Sequence, residues 1–135
     1  MALTGHITKS NMKTDNNGKY YVGKIQDNVK ENGWFFGHFM DNPLLKSADV
    51  EVAWQDISGK KTEASDKHTH KVAVELNVII SGAIHLTMDG KECTVKAGEF
   101  YVVYPGVVVD KVWAEENTVD ICIKAPSISG DKYYL

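Results

Sequence analysis

The sequence predicts an all-β antiparallel fold, and three observations carry that expectation. Apolar residues recur with a period of two almost everywhere after residue 50. Turn signals interrupt this alternation about every 8 to 12 residues, the rhythm of a sandwich or barrel. No stretch of ten or more residues carries the periodicity of an amphipathic helix.

The elements follow in chain order. Residues 9–19 are polar and end in Asn16-Asn17-Gly18, which reads as a free tail or a hairpin tip. Residues 20–26 and 34–40 read as strands around a polar turn at 27–33. Trp34, Phe35, Phe36 and Phe39 form the densest aromatic cluster, suited to a core, an interface between protomers or a ligand-stacking wall. Asn42-Pro43-Leu44-Leu45 opens at most one helical turn. Val50, Val52 and Trp54 then alternate with Glu51, Ala53 and Gln55, as in a half-buried strand. Ile84, Leu86 and Met88 alternate in the same way up to Asp89-Gly90. That dipeptide favours a two-residue hairpin, because both turn positions need positive φ. The return arm runs over 93–96, and further strands over 100–104, 107–113 and 118–124, broken at Ala97-Gly98, Pro105-Gly106 and 114–117.

With 135 residues, 43% hydrophobic and 24% charged, the chain has the size and composition of a single domain, 1–135. All 15 basic residues are lysine, against 18 acidic ones, for a net charge of -3. Without arginine the chain lacks the bidentate fork that reads phosphates and guanine edges, so no nucleic-acid partner is expected. No apolar run reaches the roughly 18 residues of a membrane span, so no membrane partner is expected. Residues 1–11 show no basic run leading into an apolar stretch, so a cytoplasmic protein is expected. Cys93 and Cys122 sit in alternating segments and read as small buried hydrophobes. No phosphate loop, nucleophile elbow or activated cysteine is present.

One constellation bears chemistry: His68-Thr69-His70, then Glu75, then Gly82. Residues two apart on a strand share a face, so the two imidazoles lie side by side. With a carboxylate they make a two-histidine, one-carboxylate set, which leaves open positions on a metal ion. Glu75 has the opposite parity, so the set requires a turn or bulge within 71–74, where Lys-Val-Ala-Val offers no turn residue. Asn77 shares the face of Glu75 and is placed to support it or to touch a ligand. His85 alternates against Ile84 and Leu86 and belongs on an exposed face; His38 reaches the pocket only if the N-terminal strand closes over it. Tyr133 and Tyr134 are expected to dock on the barrel or on a partner.

The spacing of His68, His70, Glu75 and Gly82 resembles the first motif of the cupin superfamily, with four and six residues between the last three. The leading glycine of that motif is replaced by Thr62. The likeness continues through the Asp89-Gly90 hairpin to a degenerate second motif, in which Gly98 and Gly106 match and Tyr104 stands where a proline belongs. It covers about residues 50–124. Val109 occupies the position of the second-motif histidine and Trp113 that of the asparagine.

The resemblance implies a jelly-roll barrel (a double-stranded β-helix) with an irregular N-terminal segment or arm over 1–19. It also implies a pocket in the barrel mouth and a homodimer, whose interface would cover part of the N-terminal aromatic cluster. A divalent Fe, Mn, Ni or Zn ion on His68, His70 and Glu75 is implied with it. Asp110 would join as a fourth ligand if a one-residue slip turned it inward; without the slip it faces water. Tyr101 and Tyr104 would place their phenols near the pocket. The expected function is a metal-binding cupin acting on a small polar metabolite such as a sugar or sugar acid, by isomerase, lyase or oxygenase chemistry. The alternative is a non-catalytic binding or structural cupin, which the loss of the second-motif histidine and asparagine favours.

Overall fold

The computed structural model describes residues 18–61 and 66–135. The polar segment 9–17 and Thr62 lie outside those residues. Ten strands form the described fold: β1 (Trp34–Phe36), β2 (Glu51–Asp56), β3 (His68–His70), β4 (Val74–Ser81), β5 (Ala83–Met88), β6 (Lys91–Lys96), β7 (Phe100–Val103), β8 (Val109–Ala114), β9 (Val119–Ala125) and β10 (Lys132–Tyr134). They make two antiparallel five-stranded sheets, ordered β1-β2-β9-β4-β7 and β10-β3-β8-β5-β6. The all-β jelly-roll expectation is met. Among the described residues no helix is long and apolar enough to cross a membrane.

The N-terminal third departs from the strand pattern. In place of a strand over 20–26 there is an isolated bridge at Tyr21 and one helical turn, α1 (Ile25–Asn28). The Asn28 amide donates to the Lys24 carbonyl at 2.8 Å, a local bond that competes with strand pairing. The strand expected over 34–40 stops at Phe36, because Gly37 (φ 149°) turns the chain and the Met40 N–H donates back to the Gly37 carbonyl. The 42–45 segment is a turn, closed by Leu45 N–H on the Asn42 carbonyl at 2.9 Å.

The β5–β6 hairpin forms as expected, with Asp89 at φ 51° and Gly90 at φ 80°. Gly82 (φ 74°) carries the chain from β4 in one sheet to β5 in the other. A Cβ there would lie 2.6 Å from the Thr118 Cα, which explains the glycine. Ile79, Ile84, Leu86, Val95, Val103, Val109 and Ala114 close one end of the sandwich as a dry core. The other end is left open between the sheets.

Candidate functional site

The open end is a cavity of about 910 Å³ that takes in His68, His70, Glu75, Asn77, Tyr101 and Asp120 among its walls. The volume lies in the range of small-molecule sites, roughly 300–1,000 Å³.

The parity conflict at Glu75 is resolved by a change of sheet. His68 and His70 stand on β3 of one sheet, and the chain crosses at Lys71–Ala73 into β4 of the other. The facing wall therefore carries Glu75 and Asn77 inward. No turn residue is needed within the crossing, because Asp131, far along the chain, clamps it. Its carboxylate accepts the N–H groups of Lys71 (3.0 Å), Val72 (3.0 and 3.2 Å) and Ala73 (2.8 Å). Burial pushes the Asp131 carboxyl up, but these three bonds and nearby His70 outweigh that and hold it below its usual range.

Both imidazoles are anchored through Nδ1. His68 Nδ1 donates to the Asp66 carbonyl at 2.7 Å and His70 Nδ1 to the Asp131 carbonyl at 3.0 Å. A carbonyl only accepts, so each Nδ1 carries the hydrogen and each Nε2 is left for the pocket. Burial holds the half-buried His68 below the ordinary histidine range, with Lys132 and His70 adding to the effect. His70 Nε2 lies 3.3 Å from Glu75 Oε1 yet is buried without a hydrogen-bond partner. The ring centroids of His68 and His70 are 5.2 Å apart and nearly perpendicular.

Glu75 is the anionic centre. Burial alone would raise its carboxyl, but His70, the Lys124 ammonium at 3.9 Å and the Asn77 amide, donating to Oε2 at 2.7 Å, bring it down to about 2. Asn77 thus holds the Glu75 carboxylate by a hydrogen bond. Tyr101, opposite Asn77 in the β4–β7 ladder, lines the same wall, and burial pushes its phenol well above its ordinary value. Tyr134 on β10 reaches the cavity 6.3 Å from the His68 ring, so the C-terminal tyrosines dock on the barrel itself. Trp34 forms part of the wall, with Lys124 Nζ 5.2 Å above its ring.

Three candidate positions lie outside the cavity. Asp110 does not join the pocket. A bulge in β8 does occur, at Lys111 (φ 54°), where two residues of β5 span three of β8. It comes one residue too late: Val109 and Val112 both line the cavity, while Asp110 borders a separate shallow pocket with Lys67 and Asp89. Tyr104 is 64% exposed at the turn after β7 and lies outside the cavity. His38 bonds to Ser127 Oγ at 2.7 Å, away from the cavity. His85 does lie on an outer face, stacked 3.9 Å from Trp113. Both cysteines are free, and burial pushes the Cys122 thiol up, away from nucleophilic use.

Asp120 is the residue that sequence reasoning missed. It is 3% exposed, and its Oδ1 has no hydrogen-bond partner. Burial, with the charge of Glu75, raises its carboxyl to about 7. An acidic residue that alternates with Val119, Ile121 and Ile123 has the pattern of a solvent-facing one. The ladder reverses that assignment: Asp120, Cys122 and Lys124 pair across to Ile79, Asn77 and Glu75 on the inner face.

The metal set is incomplete in geometry. His68, His70 and Glu75 have the donor chemistry of a transition-metal site, and Nδ1 anchoring is the support that ligating imidazoles use. Among the described residues, however, no group of three or more His, Cys, Asp or Glu side chains is placed to hold an ion.

A sequence profile of the family described as "Cupin domain" matches residues 58–116. No curated protein matches the chain. Similar solved structures include a cupin protein from Bacteroides fragilis, 23% identical, with a TM-score of 0.50 over 63% of this chain and 72% of the other. A double-stranded β-helix protein from Klebsiella pneumoniae is 17% identical, with a TM-score of 0.58 over 92% and 97%. Pac13, described as a nucleoside dehydratase and also solved from Streptomyces with uridine, is 10% identical, with a TM-score of 0.61 over 87% and 92%. Profile and fold agree with the motif built on His68, His70, Glu75 and Gly82: residues 58–116 match the cupin domain, and the chain has the fold of RmlC-like cupins.

Proposed function

We propose that this cupin binds a small polar metabolite, of the sugar, sugar-acid or nucleoside kind, between its sheets and carries out a proton-transfer reaction on it, an elimination or isomerisation. The observation that carries this reading is Asp120: a buried carboxyl facing the cavity, with a free oxygen and a proton still held near neutral pH. Two carboxyl groups whose environments separate them this widely divide the work of acid and anion. Asp120 donates a proton to a leaving oxygen. Glu75 stays ionised and accepts hydrogen bonds from ligand hydroxyls. His68, on the opposite sheet, presents an Nε2 lone pair as the base. In an elimination it takes the proton from a carbon next to a carbonyl, the double bond forms, and the C–O bond breaks toward Asp120. Lys124 and Lys132, both on the cavity wall, suit a carboxylate on the ligand. The dehydratase among the structural neighbours performs chemistry of the same class on a shared fold.

The test is turnover of a panel of aldoses, sugar acids and nucleosides by the wild type, Asp120→Asn and His68→Gln. Losses of about 10²-fold or more in both variants, with binding retained in a thermal-shift assay, are expected for general acid and base groups. Ligand-induced stabilisation without turnover of any substrate by the wild type would support the non-catalytic alternative.

A second reading, a divalent transition-metal site on His68, His70 and Glu75, is favoured by His70 Nε2, a buried nitrogen with no partner beside a carboxylate. Uptake of Fe, Mn, Ni or Zn at one ion per chain, lost in Glu75→Ala, would support it. No uptake by protein purified without chelator or nickel contradicts it.

A further inference from the structure

The elimination proposed above gives work to Asp120, Glu75 and His68 but leaves one charge without a holder. When a carbon next to a carbonyl loses its proton, the carbonyl oxygen becomes an enolate oxyanion. A fixed donor or cation beside that oxygen is often the largest single contribution to such a reaction. The cavity wall has to supply it.

Most of the wall's cations and amides are already engaged. Lys124 Nζ lies 3.9 Å from Glu75 and Lys60 Nζ 3.6 Å from Asp66. The Asn77 amide donates to Glu75, and the Gln55 amide to the Asn32 carbonyl at 2.9 Å. Lys132 differs from them. It lines the cavity, and among the described residues it enters no ion pair. The β3–β10 ladder sets Lys132 opposite His70 and Tyr134 opposite His68. Cross-strand partners share a face of the sheet, so Lys132 stands on the side of the two imidazoles. Its Nζ lies 5.2 Å from the centre of the Tyr134 ring, within cation–π reach, and that ring is 6.3 Å from the His68 ring. Cation and base therefore stand on adjacent strands of one wall, while Asp120 belongs to the other sheet.

We propose that Lys132 is the oxyanion-holding group of this site: its ammonium binds the substrate's carbonyl oxygen and stabilises the enolate as His68 removes the neighbouring proton. The inference rests on the elimination reading. The C–H electron pair passes through the enolate into the new double bond. The C–O bond breaks with its own pair, and the leaving oxygen takes the proton of Asp120. Lys132 forms no covalent bond and keeps its protons, so no co-reactant is needed.

Steady-state kinetics of Lys132→Met and Lys132→Arg, on the panel substrate that the wild type converts fastest, test the proposal. Lys132→Met is expected to lose about 10²-fold in kcat with KM within a few fold, as for a lost oxyanion donor. Lys132→Arg should recover to within about tenfold of the wild type, since it restores the cation. The side chains of β10 are exposed, so neither change disturbs the core; if Lys132→Met misfolds, Lys132→Gln takes its place. An unchanged kcat, or a rise in KM alone, overturns the oxyanion role. If Asp120→Asn and His68→Gln lose turnover while Lys132→Met does not, the elimination stands and this inference falls. A second measurement decides if the wild type converts nothing, which overturns the elimination itself: calorimetry with oxalate, a planar mimic of an enediolate, in metal-free buffer. Oxalate binding that weakens at least about tenfold in Lys132→Met keeps Lys132 as the anion-holding group. No binding, or binding undiminished in the variant, overturns it.

Discussion

At the scale of single residues, the two carboxyl groups of the cavity pull stability in opposite directions with pH. Burial and the charge of Glu75 raise the Asp120 carboxyl to about 7 in the fold, from an ordinary value of 3.8. Ionising it inside the sandwich therefore costs stability progressively as pH rises from about 4 to about 7, on the order of 4 kcal/mol at about 1.4 kcal/mol per unit. Asp120→Asn is expected to flatten that slope and to be more stable than the wild type above pH 7, as read by denaturant unfolding. Glu75 is depressed to about 2 from 4.5, so its contribution is present above about 4.5 and is lost as pH falls toward 2. Glu75→Gln should lose on the order of 3 kcal/mol at pH 6 and much less at pH 3. The first motif was legible because imidazole, carboxylate and glycine stand at a recognisable spacing. Asp120 was not, because an acidic residue alternating with Val119, Ile121 and Ile123 has the pattern of a wet face.

At the scale of elements, the crossing from β3 to β4 decides whether the site exists. The turn within 71–74 was required by parity, yet its cause is 60 residues away in sequence at Asp131, beyond the reach of local turn rules. Removing that carboxylate leaves three N–H groups short of partners. Asp131→Ala is expected to cost about 2–4 kcal/mol and to weaken ligand binding in the cavity, because the crossing that sets His70 against Glu75 loses its clamp. Asp131→Asn should recover part of both. Gly82→Ala should destabilise by more than about 2 kcal/mol, since positive φ and a clash with Thr118 act together; thermal unfolding reads this directly. The strands after residue 50 were legible from period and turn residues. The N-terminal elements were not, because Gly37 and Asn28 impose local backbone closures that hydrophobic pattern does not record. The β8 bulge shows the same limit: a register slip was foreseeable as a possibility at Asp110, but its position at Lys111 depends on pairing with β5.

At the scale of the whole molecule, alternation predicts that a strand has two unlike faces without saying which one looks inward. In β2, β4 and β9 the apolar face looks out, so the polar face lines the cavity. The cupin barrel was legible from strand rhythm and motif, while the wiring of its interior had to come from the ladders. The cavity's defining property is a carboxyl group that holds its proton at neutral pH. Carbon-13 NMR of the Asp120 carboxyl across pH 3 to 9 measures this without knowledge of any substrate. A midpoint near 7 is predicted, whereas a midpoint below about 5, in the ordinary carboxylate range, would contradict it.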